Sequence, residues 1–146
     1  MVALSPSSPA QQNSGVLTVS PVERLAIKRG ASAEVKIKVN LRPGFHCNSN
    51  TPADDFLIPL KLTWAKEPLV AEQVTYPKPQ HEKYAFSPNP VSVFTGDFEI
   101  ATRFKALPTA NPGMAMMTGK LRYQACNEKE CLPPKTIDVR MMLDIQ

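Results

Sequence analysis

Two of the three cysteines in this 146-residue chain stand five positions apart, in Tyr123-Gln-Ala-Cys126-Asn-Glu-Lys-Glu-Cys131-Leu-Pro-Pro-Lys-Thr136. The four residues between them, Asn127 to Glu130, are polar and suit a hairpin loop. Such a loop sets its flanking residues opposite each other, with Cβ atoms about 4.5–5.5 Å apart. A disulfide needs about 3.5–4.5 Å, so a small adjustment closes the gap. The spacing therefore predicts a cross-strand Cys126–Cys131 disulfide. A structural staple and a redox-active pair both fit it. Closing so short a loop contributes about 2 kcal/mol in the chain-entropy model. A chain long enough to bury a real core hardly needs that. A bridge at an exposed hairpin end is also within reach of an attacking thiolate. On the residues alone both roles stay open. Glu128 and Glu130 beside the pair would raise thiol pKa values, and Lys129 would oppose them.

Other residues could also do chemistry. Cys47, in Gly44-Phe-His46-Cys47-Asn, reads as a small buried hydrophobe or as a third thiol near the pair. His46, His81 and the cysteines are metal-ligand types, but His46 and His81 share no short ligand spacing. Met114, Met116 and Met117 form a thioether string of the kind that suits Cu(I), although methionines in a loop also fill gaps beneath it. Nucleophilic hydrolysis is not expected, since there is no Gly-x-Ser-x-Gly element and neither histidine stands in a recognisable motif with a nucleophile. With 6 glycines in the chain there is no phosphate-cradling loop either.

The elements that must position these residues are strands. Val35, Ile37, Val39 and Leu41 alternate with Lys36, Lys38 and Asn40, the pattern of a half-buried strand. The same alternation marks Leu60–Trp64, 97–105, Leu121–Ala125 and Ile137–Leu143. Shorter candidates lie at 16–19, 24–28, 73–76 and 91–94. The 15 prolines, about twice an average share, punctuate these runs and rule out a helical bundle. The expectation is an all-β, immunoglobulin-like antiparallel β-sandwich of seven to nine strands, with long loops at 48–58 and 106–117.

Residues 1–15, rich in Ser and Pro, read as a flexible linker ahead of one domain over 16–146. The net charge is +4, and its lysines and arginines are spread singly, so no nucleic-acid partner is expected. No apolar run is long enough to span a bilayer, and the first residues lack the basic and apolar parts of a signal peptide. The chain thus reads as cytosolic, or as a mature or excised domain of an exported protein.

The chain resembles the family of N-terminal periplasmic domains of the thiol:disulfide interchange protein DsbD, also called the disulfide bond corrector domain. Tyr123-Gln124-Ala125-Cys126 and Cys131-Leu132-Pro133-Pro134-Lys135-Thr136 carry the resemblance, with weaker matches at Pro43-Gly44-Phe45-His46 and Phe86-Ser87-Pro88. It covers about residues 16–146. It implies an immunoglobulin-like fold, a periplasmic location and a catalytic pair, Cys126 and Cys131, that needs no cofactor. Electrons would pass from a membrane-embedded thiol transporter domain, expected beyond Gln146, to thioredoxin-like periplasmic proteins such as disulfide isomerases or cytochrome c maturation factors. Cys131 would be the sulfur that forms the mixed disulfide. A cap loop would fall at 81–86, with Tyr84 and Phe86 as shielding rings, and no metal ligand is assigned. Known members carry one more residue between the cysteines, a departure that bears on the potential and leaves the pair in place. Two alternatives stand beside this reading: a periplasmic copper-binding β-sandwich carrier using the methionine string, and a non-redox interaction module with a structural disulfide.

Overall fold

The computed structural model describes residues 15–52, 54 and 56–146, and every regular element among them is a strand. Apart from Gly15, the expected linker lies outside the described residues. The strands are β1 (Leu17–Val19), β2 (Leu25–Ile27), β3 (Ser32–Leu41), β4 (His46–Asn48), β5 (Lys61–Trp64) and β6 (Val70–Thr75). They continue with β7 (Gln80–Glu82), β8 (Val91–Thr95), β9 (Asp97–Lys105), β10 (Gly113–Tyr123), β11 (Ala125–Cys126) and β12 (Lys135–Ile145). Three four-stranded sheets result, in the orders β1-β3-β9-β6, β2-β12-β10-β5 and β11-β4-β8-β7.

The first two sheets form the sandwich. Ile37, Val39 and Leu41 of β3 and Ile100 and Phe104 of β9 turn inward. They meet Met117, Leu121 and Tyr123 of β10 and Ile137, Val139, Met141, Leu143 and Ile145 of β12 in one core. Alternation drives this, since a strand with one apolar face can bury it only against another such face. Trp64 ties the two sheets together. Its indole N–H donates to Thr102 Oγ1 at 3.0 Å, and its ring meets Phe104 edge-on at 4.9 Å. Gly119 lies opposite Trp64 in the β10–β5 register, and the indole rests over it.

Twelve strands replace the expected seven to nine. The three additions, β4, β7 and β11, join β8 to make the third sheet. They are two or three residues long, and β4 is buried at all three positions, so no alternation announces it. The expected loop at 106–117 is shorter than it looked, because β10 already begins at Gly113. Met114 and Met116, 56% and 47% exposed, put apolar side chains on the outer face and erase the pattern there. The sandwich is also not purely antiparallel: β2 runs parallel to β12, with Leu25 beside Leu143. Alternation reports which face is buried and carries no strand direction.

Gly119 generates a test. A Cβ there would sit 2.7 Å from Cε3 of Trp64, too close for any relaxed contact. Gly119→Ala is expected to lower the unfolding free energy by about 1–3 kcal/mol, read by urea denaturation. An unchanged midpoint would show that the indole moves aside freely.

Candidate functional site

Gln124 is the residue at which the chain leaves β10 and passes into the third sheet. Its side chain holds the crossing. Oε1 accepts from the Ile58 backbone N–H and from Asn48 Nδ2, both at 3.4 Å, and Nε2 donates to the Leu132 carbonyl at 3.3 Å. Asn48 Nδ2 also donates to the Ile58 carbonyl at 3.0 Å. The loop before β5, the strand β4 and the segment after Cys131 are thereby pinned to one point.

Two residues on, Cys126 faces Cys131 in an isolated antiparallel bridge. The Leu132 N–H donates to the Ala125 carbonyl at 2.8 Å, and the Asn127 N–H to the Glu130 carbonyl at 2.9 Å. These bonds flank the cysteines, which therefore occupy a non-hydrogen-bonded position, where opposed side chains approach most closely. Their Cα atoms are 3.9 Å apart and their sulfurs are bonded. The pairing expected from the spacing is present. Asn127 Oδ1 accepts from the backbone N–H groups of Lys129 and Glu130, both at 2.8 Å, and closes the loop. Cys131 does not itself open the next strand. β12 starts at Lys135, and Pro133 and Pro134 in between have no N–H to give a ladder. The bridge is asymmetric: Cys126 has no exposed surface, whereas Cys131 is only half-buried.

Strand alternation decides what surrounds the pair. Cys126 is opposite His46, and Ala125 is opposite Cys47. Directly opposed side chains share a face and successive ones do not, so His46 lies with Cys126 on the outer face of the third sheet. Cys47 turns the other way, into the main core. Burial pushes its thiol up to about 12, outweighing a backbone hydrogen bond from Phe94. Cys47 stays protonated at neutral pH and packs as a small hydrophobe.

The outer face carries a lid of rings. A turn over Tyr84–Ser87 is closed by the Ser87 N–H donating to the Tyr84 carbonyl at 3.2 Å, and Ser87 Oγ donates to the Asn89 carbonyl at 2.9 Å. Tyr84 stacks on His46 with centroids 4.0 Å apart, and Phe86 stacks on Tyr84 at 5.4 Å. Leu57, Val91 and Val93 form a small satellite core against Tyr84. The phenol donates to Glu82 Oε2 at 2.7 Å. Burial, the bond to Glu82 and the charges of Glu82 and Glu128 all push the Tyr84 hydroxyl upward. Glu128 sits in the cysteine loop, so that loop and the lid lie within electrostatic reach. Both border an open groove of about 510 Å³ together with His46 and Glu82.

Tyr84 and Phe86, picked from the sequence as shielding rings, are thus brought onto the cross-strand neighbour of Cys126. In the sequence His46 stands out as a metal-ligand type and as the end of the weak Pro43-Gly44-Phe45-His46 match, and neither reading puts it under Tyr84. The signal was Pro43-Gly44 just before it. The Phe45 N–H donates to the Arg42 carbonyl at 3.1 Å, and Gly44 takes φ +89°, so a type II turn delivers His46 into β4. Gln124, Asn48 and Asn127 were missed because their partners are distant or local backbone atoms. The metal-ligand types do not converge: His81 is exposed on β7, and no group of three or more His, Cys, Asp or Glu among the described residues could hold a metal ion. The methionine string is split, with Met117 in the core and Met114 and Met116 outside.

A family model described as "Thiol:disulfide interchange protein DsbD, N-terminal" matches residues 14–142. No curated protein matches the chain. Among solved structures, the N-terminal periplasmic domain of ScsB from Proteus mirabilis aligns with TM-score 0.54 and 11% identity, over 94% of this chain and 49% of that one. The chain thus spans about half the length of that relative. The reduced DsbD N-terminal domain of Neisseria meningitidis aligns with TM-score 0.52 and 15% identity, over 80% and 82% of the two chains. These two likenesses speak to the fold.

The placement of Cys47 is open to direct measurement. At about pH 8 the native oxidised protein is expected to resist iodoacetamide and to take up one equivalent only once unfolded. Prompt labelling of the native chain would contradict a buried, protonated Cys47.

Proposed function

The chain belongs to the family of N-terminal domains of the thiol:disulfide interchange protein DsbD, and from that premise we propose that Cys126 and Cys131 are its exchanging pair. The observation that supports this best is the asymmetry of the bridge. Cys131 is half-buried at a hairpin end, whereas Cys126 has no exposed surface and lies opposite His46, on which Tyr84 stacks. In the reducing direction the Cys131 thiolate attacks a disulfide of the partner. A bond forms between Cys131 Sγ and one partner sulfur, and the other partner sulfur leaves as a thiolate. Cys126 then attacks Cys131 Sγ, restores the internal bridge and releases the first partner sulfur. Two electrons have passed to the partner, and no cofactor takes part.

The partners in this reading are thioredoxin-like periplasmic proteins, of the disulfide isomerase or cytochrome c maturation type. A membrane-embedded thiol transporter domain supplies the electrons. The periplasmic setting is supported by the ScsB domain it resembles. Tyr84 and Phe86 act as a cap that keeps stray thiols from the bridge until a partner displaces it.

Denatured protein should show one free thiol when oxidised and three after reduction, since the chain has 3 cysteines. Titration against thiol buffers should place the Cys126–Cys131 potential above about −300 mV, the region below which structural bridges resist reduction. A Cys126→Ala variant should hold a mixed disulfide through Cys131 with a thioredoxin-like protein. A resistant bridge that never exchanges sinks the reading, and a Cys126→Ala variant with unaltered activity would mark a non-redox module. Removing the rings in a Tyr84→Ala, Phe86→Ala double variant should speed reduction of the bridge by dithiothreitol, followed by quenched thiol labelling. An unchanged rate would deny Tyr84 and Phe86 a shielding role.

A further inference from the structure

Resolution of the mixed disulfide poses a proton problem. Cys126 must lose its proton to attack Cys131, yet it has no exposed surface. Burial raises a thiol, as it does for Cys47 on the other face of the same sheet, and bulk water does not reach the sulfur to take the proton.

The residue directly opposite Cys126 is His46. Their side chains share a face, with Cβ atoms about 4.5–5.5 Å apart at such a position. His46 is 2% exposed, and its Nε2 is the buried side-chain polar atom without a hydrogen-bond partner among the described residues. Buried polar atoms are nearly always paired, so an unpaired one calls for a reason. Tyr84 stacked at 4.0 Å holds the ring in place. Resting on the exchange reading above, we propose that His46 is the proton acceptor for Cys126 in the resolving step. As Cys126 Sγ bonds to Cys131 Sγ, its proton passes to the imidazole. The bond from Cys131 to the partner breaks, and the partner sulfur leaves with the electron pair. The imidazolium then returns its proton to that thiolate or to water. In the opposite direction the same imidazolium protonates Cys126 as it leaves.

The surroundings suit the role. Burial lowers the His46 pKa below its ordinary value, and the Glu82 carboxylate opposes that shift. The imidazole is therefore neutral at neutral pH and free to accept. The other ionisable groups lining the same groove are Tyr84 in the lid, Glu128 in the cysteine loop, Arg42 and Asp97. Neither Glu82 nor Glu128 is the cross-strand partner of Cys126.

The test follows one turnover. Reduced protein is mixed with glutathione disulfide between about pH 5.5 and 9, quenched with acid and weighed by mass spectrometry. In the wild type the adduct on Cys131 should decay at a rate that is level down to about pH 6.5 and falls only below it, as the imidazole protonates. His46→Phe keeps a ring beneath Tyr84, and His46→Gln keeps a polar end; neither can take the proton. In both, the adduct should form normally and decay about 100-fold more slowly near neutrality. That decay should rise about tenfold per pH unit, as for an unassisted thiol. Wild-type decay in either folded variant overturns the proposal. If neither variant folds, the wild-type profile decides alone, since a rate climbing through about pH 7–8.5 overturns it equally. A wild-type protein that stays fully reduced, showing neither adduct nor internal bridge, would remove the exchange reading itself, an outcome distinct from the failure of His46.

Discussion

A chain that leaves one sheet for another must find new partners for its backbone, because buried amides left unpaired are costly. Here the change comes at Gln124, and its carboxamide supplies what the ladder no longer can. It collects Ile58, Asn48 and Leu132 around one point. Two residues later the hydrogen-bond pattern resumes with Cys126 at a non-hydrogen-bonded position. A crossing one residue earlier or later would turn the sulfur to the opposite face. The position of the bridge is thus set by a side-chain amide and a count of residues.

The third sheet uses its two faces differently. Cys47 and Cys126 lie on neighbouring strands, one register step apart, yet they meet different environments. The inner face belongs to the main core and keeps Cys47 protonated. The outer face has its own small core of Leu57, Val91, Val93 and Tyr84, and it holds the bridge and the imidazole. The large sandwich below is held by Trp64, Thr102 and the inward side chains of four long strands. The outer face of the third sheet can therefore be loaded with polar and reactive groups without opening that core.

The long strands were legible because each buries one face: β3, β9 and β12 alternate almost without fault. The cysteine pair was legible because a four-residue polar loop fixes what faces what. The third sheet was not, and it is the part that carries the bridge. β4 is buried on both faces and β11 has two residues, too few for any period to emerge. Tyr84 and Phe86 were reached through the family resemblance rather than through periodicity. The place of His46 depends on pairing across 80 positions of sequence with Cys126, which no local pattern encodes.

The chain has a single tryptophan, and it is the indole wedged between the two large sheets over Gly119. It touches Thr102 and Phe104, on the sheet opposite its own strand, while the bridge sits on the outer face of a different sheet. Intrinsic fluorescence therefore reads the interior of the sandwich, and thiol chemistry reads the bridge. Loss of fold and change of redox state reach an observer through separate optical and chemical channels.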